Sequence, residues 1–103
     1  MSGERGAGQT LAMVRDLPDA ECVVIVHAHP FRNYVMRMIA DVRGIDMLKR
    51  CKVVAVTDMH SADRLLAGES RAAFVDHAFW YLAEPRVAGF VSAWLERHGR
   101  KAA

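Results

Sequence analysis

Three short apolar runs limit what this chain can fold into more than any other feature. Residues 22–26, 52–56 and 71–75 are each dominated by apolar and β-branched side chains, and each gives way to polar residues: His27 to His29, Thr57-Asp58 and Asp76-His77. A continuous apolar run of this length reads as a strand buried on both faces, whereas a half-exposed strand would alternate. Between the runs lie helical patterns. Phe31, Val35, Met38, Ile39 and Val42 repeat at one helical face behind Pro30, with Gly44 placed to end the helix. Residues 61–67 read as a short helix capped by Ser61 and closed by Gly68. Residues 85–98 carry Val87, Phe90, Val91, Trp94 and Leu95 on one face, before Gly99 and a basic tail. Leu11, Val14 and Leu17 form a further apolar stripe that stops at Pro18-Asp19. Strands alternating with helices predict βαβ units, hence an α/β fold with a short, mostly parallel sheet covered by helices.

Size and composition agree with one such domain over residues 1–103. The chain is 52% hydrophobic and 25% charged, enough to build a core and unlike a disordered or collagen-like chain. Fourteen basic residues against 12 acidic ones leave a net charge of +2, too little to argue for nucleic acid by itself. No apolar run approaches the roughly 18 residues of a membrane span, so a soluble protein without membrane contact is expected. Cys22 and Cys51 each open an apolar run and form no disulfide framework, and the N-terminus has no apolar signal core. These features predict a cytoplasmic protein with reduced thiols.

A parallel sheet sends all its strand ends to one edge, where α/β folds bind ligands. That edge should collect His27 and His29, Asp58 and His60, and Asp76 and His77. Imidazole and carboxylate side chains are ligands for zinc, manganese and iron. A small hydrolase using a divalent metal on this His/Asp rim is therefore one reading. The other is ordinary polar strand ends, with His29 capping the helix of Pro30 and His77 stacking on Phe79 or Trp80. Arg32, Arg37 and Arg43 read as a solvated helix face, with Arg32 near the rim. Phe79-Trp80-Tyr81 is too wide to hide on one face, so at least one ring should reach the surface.

The N-terminal stretch Gly3-Glu4-Arg5-Gly6-Ala7-Gly8-Gln9-Thr10 has the spacing of a phosphate-binding loop, with glutamine at the lysine position. Ala72-Ala73-Phe74-Val75-Asp76 has the form of the apolar strand that ends in a magnesium-binding acid. Over residues 3–80 the chain resembles a reduced RecA/helicase-like P-loop domain. The resemblance implies a site at Gly3, Gly6, Gly8, Gln9, Thr10 and Asp76, with Thr10 and Asp76 on a magnesium ion and the glycine backbone around a nucleotide phosphate. Three departures accompany it. No strand precedes Gly3, Gln9 carries no charge, and His77 follows Asp76 where many members have a glutamate. The implied protein binds rather than turns over nucleotide. The simpler alternative makes residues 1–8 a flexible terminus and Thr10 a helix cap.

The leading expectation is thus a non-catalytic P-loop-like binding protein, using the C-terminal edge of its sheet for a protein partner or a nucleotide phosphate. A sheet lacking the strand before the loop has an open edge, which predicts a homodimer or a stable complex. The small size and reduced motifs would suit a phage or mobile-element product that binds a host protein.

Overall fold

Alternation within the strands sets the layers. In the computed structural model, which describes residues 2–102 in backbone and 8–98 in side-chain detail, every residue of β1 (Cys22–Val26) is buried. Cys22, Val24 and Val26 face one core cluster, and Val23 and Ile25 face another. β2 (Cys51–Ala55) splits the same way, with Val53 and Ala55 on the first side and Val54 on the second. Period-two side chains thus feed two cores from one sheet.

The order along the chain is α1 (Ser2–Asp16), β1, α2 (His29–Arg43), α3 (Ile45–Arg50), β2, α4 (Met59–Leu66), β3 (Ala72–Val75), α5 (His77–Leu82) and α6 (Pro85–Ala102). The three strands form a parallel sheet in the order β2-β1-β3. The fold is therefore α/β, with β1 in the middle, where its uninterrupted apolar run is required. α1 and α2 cover one face through Val14, Val35 and Ile39, joined by Leu17 just after α1 and by Met47 of α3. α4 and α6 cover the other through Ala62, Leu66, Val87 and Val91, with Phe79 of α5. Complete burial of side chains of this size contributes roughly 1.5–3 kcal/mol each. Among the described residues, no helix is long and apolar enough to cross a membrane.

Several local expectations need correction. The 61–67 helix starts two residues earlier, because Asp58 is its N-cap: the Asp58 carboxylate accepts from the Ser61 backbone N–H at 2.7 Å, and Ser61 Oγ accepts from Asp58 N–H in return. Ser61 is thus the third helical residue of a capping box. α2 begins at His29 with Ala28 as N-cap and no side-chain cap, so His29 does not cap it. Two helices were not foreseen. α3 follows directly on α2 because Gly44, at φ 95°, turns the chain in a conformation L side chains avoid. α5 forms at residues with no helical apolar stripe, capped by Asp76, whose Oδ2 accepts from Ala78 N–H at 3.0 Å.

Arg43 is not merely solvated. Its guanidinium donates to the carbonyls of Val14, Arg15 and Leu17 at 2.7–3.2 Å and to the Asp19 carboxylate at 2.6 Å. It therefore closes the end of α1, where carbonyls lack helical partners. Arg15 is the only basic residue in the last turn of α1 itself.

Candidate functional site

Chain direction decides where a ligand crevice lies. After β1 the chain passes through α2 to β2 on one side. After β2 it returns across β1, through α4 on the other face, to β3. The C-terminal ends of β1 and β3 therefore bound a topological switch point, the place where open α/β sheets leave room for ligands.

Asp76 stands at this point. Its backbone N–H donates to Ile25 O at 3.0 Å, prolonging the β1–β3 ladder, and its side chain is completely buried. Thr10 of α1, 66 positions away in sequence, donates its hydroxyl to Asp76 Oδ1 at 2.9 Å. Thr10 is itself buried. The carboxylate thus holds one donor on each oxygen, Thr10 on Oδ1 and Ala78 N–H on Oδ2. A buried carboxylate needs such partners, since an unpaired charge in the core is costly. His27, one residue past the end of β1, has its Nδ1 buried without a hydrogen-bond partner, and its ring lies 5.1 Å from that of Phe31.

The remaining N-terminal positions are arranged differently from a loop. Gly8, Gln9 and Thr10 are helical residues of α1, so their N–H groups lie along a helix instead of curling around an anion. Glycine in a helix costs only about 1 kcal/mol, and Ala7 and Gln9 are good helix formers. Thr10 is therefore inside the helix and does not cap it. Gly3 and Gly6 also fall within α1 in backbone, which begins at Ser2; in side-chain detail they and the expectation of a flexible stretch over residues 1–8 lie outside the described residues, apart from Gly8.

A concavity of about 440 Å³ runs along the outer side of β2. His29, Arg32, Lys52, Asp58, His60 and Arg64 line it. Arg32 Nε donates to Val53 O at 2.7 Å, so a side chain covers one carbonyl of the sheet's outer edge. Edges treated this way resist pairing with another strand. The Asp58 carboxyl lies below its ordinary value near 3.8, chiefly because it accepts from Ser61 N–H, with the nearby Ser61 hydroxyl and the charges of His60 and Arg64 adding to the effect.

The six rim residues do follow strand ends, yet they split into two groups. His29, Asp58 and His60 border the β2 cleft, whereas His27, Asp76 and His77 follow the C-terminal ends of β1 and β3. His77 packs against Tyr81 at 4.8 Å, not against Phe79 or Trp80. Among the described residues, no three His, Cys, Asp or Glu side chains converge so as to hold a metal ion. Parallel topology places residues on one edge, but only neighbouring strands and matched heights bring side chains within coordination distance.

One polar cluster escaped the sequence reading. His98 stacks on Trp94, centroids 4.3 Å apart, and its Nε2 meets Arg71 O. The i, i+4 spacing of Trp94 and His98 was a usable signal. Comparisons with protein-family models, curated proteins and solved structures found no match to this chain.

Proposed function

We propose that this protein binds a nucleotide phosphate at the crevice between the C-terminal ends of β1 and β3, without turning the nucleotide over. The observation that carries the reading is the buried Thr10–Asp76 hydrogen bond, which joins the two side chains of the P-loop-like pattern across 66 positions. A hydroxyl and a carboxylate are oxygen donors suited to magnesium, which keeps most of its waters and takes few protein ligands. Thr10 and Asp76 are the residues that would hold that ion, which would neutralise phosphate charge when bound. His27, with an unpaired ring nitrogen at the same edge, supplies a further polar contact. Gln9 is exposed and uncharged, so no ammonium offsets the phosphate. Losing such a charge contact costs on the order of 1.5–3 kcal/mol, and affinity should be weak.

Isothermal titration with magnesium-ATP tests this. Weak binding that is lost in Asp76→Asn and strengthened in Gln9→Lys is expected, with hydrolysis at background. No heat of binding at millimolar nucleotide would sink the proposal, and a hydrolysis rate abolished by Asp76→Ala would sink its non-catalytic part.

A second reading, a protein partner or a homodimer, draws on α5. Trp80, Tyr81 and Leu82 are consecutive and 39%, 73% and 64% exposed. Such a run beside the crevice is a contact surface of the kind that interfaces bury. Sedimentation at micromolar concentration checks the homodimer: a species of 11.5 kDa alone excludes it.

A further inference from the structure

The opposite end of the sheet holds the two cysteines of the chain. Cys22 opens β1 and Cys51 opens β2, and the two are direct register partners on neighbouring parallel strands. Their side chains lie on the same sheet face: Cys22 belongs to the core under α1 and α2, and Cys51 packs against that same core. Both are free, with their sulfurs 3.5 Å apart.

Backbone geometry permits a bond between them. Adjacent strands lie about 4.8 Å apart, within the roughly 4.4–6.8 Å between Cα atoms of bridged cysteines. Side-chain rotation is what must bring the sulfurs to about 2.05 Å. Exposure differs between the two. Cys22 is wholly buried, while Cys51 is half-buried and reaches solvent.

We propose that Cys22 and Cys51 form an oxidation site, which a peroxide converts into an intramolecular disulfide linking β1 to β2. The Cys51 thiolate attacks one peroxide oxygen, the O–O bond breaks, and hydroxide leaves and takes up the proton Cys51 gave up, becoming water. Cys51 is then a sulfenic acid. The Cys22 sulfur attacks the Cys51 sulfur, the S–S bond forms and the S–O bond breaks. The departing hydroxide takes the Cys22 proton as a second water. Two thiols and one peroxide thus yield one disulfide and two waters. Burial, followed by the hydrogen bond and charge of Cys51, pushes the Cys22 thiol up to about 12. The first attack therefore belongs to Cys51 and the resolving step to Cys22.

The test treats the full, folded chain with hydrogen peroxide, then alkylates any remaining thiols and measures intact mass and a peptide map. The expected product is monomeric, lighter by two hydrogens, unalkylated, and yields a Cys22–Cys51 linked peptide. Dithiothreitol should restore both thiols, and the oxidised form should melt higher than the reduced one, because the link restricts the unfolded chain. In Cys22→Ala, Cys51 should instead be trapped by dimedone as a sulfenic acid, which checks the first step separately. Cys51→Ser should resist oxidation. Full alkylation of both cysteines after peroxide overturns the proposal. So does a Cys51 sulfinic acid beside a reduced Cys22, or a disulfide found only between two chains.

Discussion

The two ends of this sheet treat their polar groups differently. At the end where β1 and β3 begin, charged groups are absorbed into the structure. Arg43 binds three carbonyls and Asp19, Arg71 pairs with Glu69 through its Nε at 2.9 Å, and His98 meets Arg71 O. Burial pushes the Glu69 carboxyl up, but the hydrogen bonds and charge of Arg71 outweigh it and hold Glu69 below its usual value. At the other end Asp76, Asp58 and Arg32 are partnered too, but His27 Nδ1 is buried without a partner, and Arg64 borders a cleft with no ion pair among the described residues. Polar groups with full sets of partners hold a fold together. Groups left short of partners mark where an incoming molecule gains most, because it replaces an unmade hydrogen bond.

The widest expected gap between the two ends comes from arginine removal. Arg43→Ala strips a guanidinium from three carbonyls at the end of α1, and charge-assisted hydrogen bonds contribute about 1.5–3 kcal/mol each, though not additively. A loss of about 3 kcal/mol is expected. A chain of this size should then melt more than about 10 °C lower. Arg64→Ala, in the β2 cleft, should change stability by less than about 0.5 kcal/mol. Equal effects in urea unfolding would erase the contrast between the ends.

The contrast also explains which parts of the fold were legible. The three strands and the helices α2, α4 and α6 announce themselves because hydrophobic periodicity is a local signal and the cores are built from it. Residues 22–26 read as doubly buried, and they form the central strand. α3 and α5 were not legible. Each has six residues, too few for a periodic pattern, and each depends on a neighbour: Gly44 for one, Asp76 for the other. The role of Arg43 depends on α1 and α2 meeting with their ends aligned, which no local pattern encodes. At the crevice, Asp76 stood out as the acid ending an apolar strand. The contact that gives it meaning, with Thr10, required the tertiary structure.

A double-mutant cycle on Thr10 and Asp76 is the next largest effect. Thr10→Val keeps the shape and removes the hydroxyl, leaving a buried carboxylate short of one donor. Asp76→Asn keeps an acceptor but loses the charge. Each change alone should destabilise, and the pair should show a coupling of about 1.5 kcal/mol, as residues sharing a buried hydrogen bond do. Strict additivity would mean that the bond does not tie α1 to the crevice, and would leave the proposed phosphate site without its anchor.

The smallest effect concerns the Asp58 cap, at the mouth of the β2 cleft. Its carboxyl lies below its ordinary value near 3.8 because the ionised form accepts from Ser61 N–H. A depressed folded-state value means that the unfolded chain takes up its proton first as pH falls. The stabilisation is therefore complete above about pH 5, begins to fade near the ordinary value of 3.8, and is gone once pH drops through the lower folded value. Asp58→Ala should melt slightly below the parent protein at neutral pH, and the gap should close in acid. The capping box shares the work, because Ser61 Oγ also accepts from the N–H groups of Thr57 and Asp58 at 2.9 and 3.0 Å. Those bonds survive the substitution, which keeps the effect small. Melting curves of both proteins across this range decide the point: a gap that stays constant into acid would show that the ionised carboxylate contributes nothing through its charge.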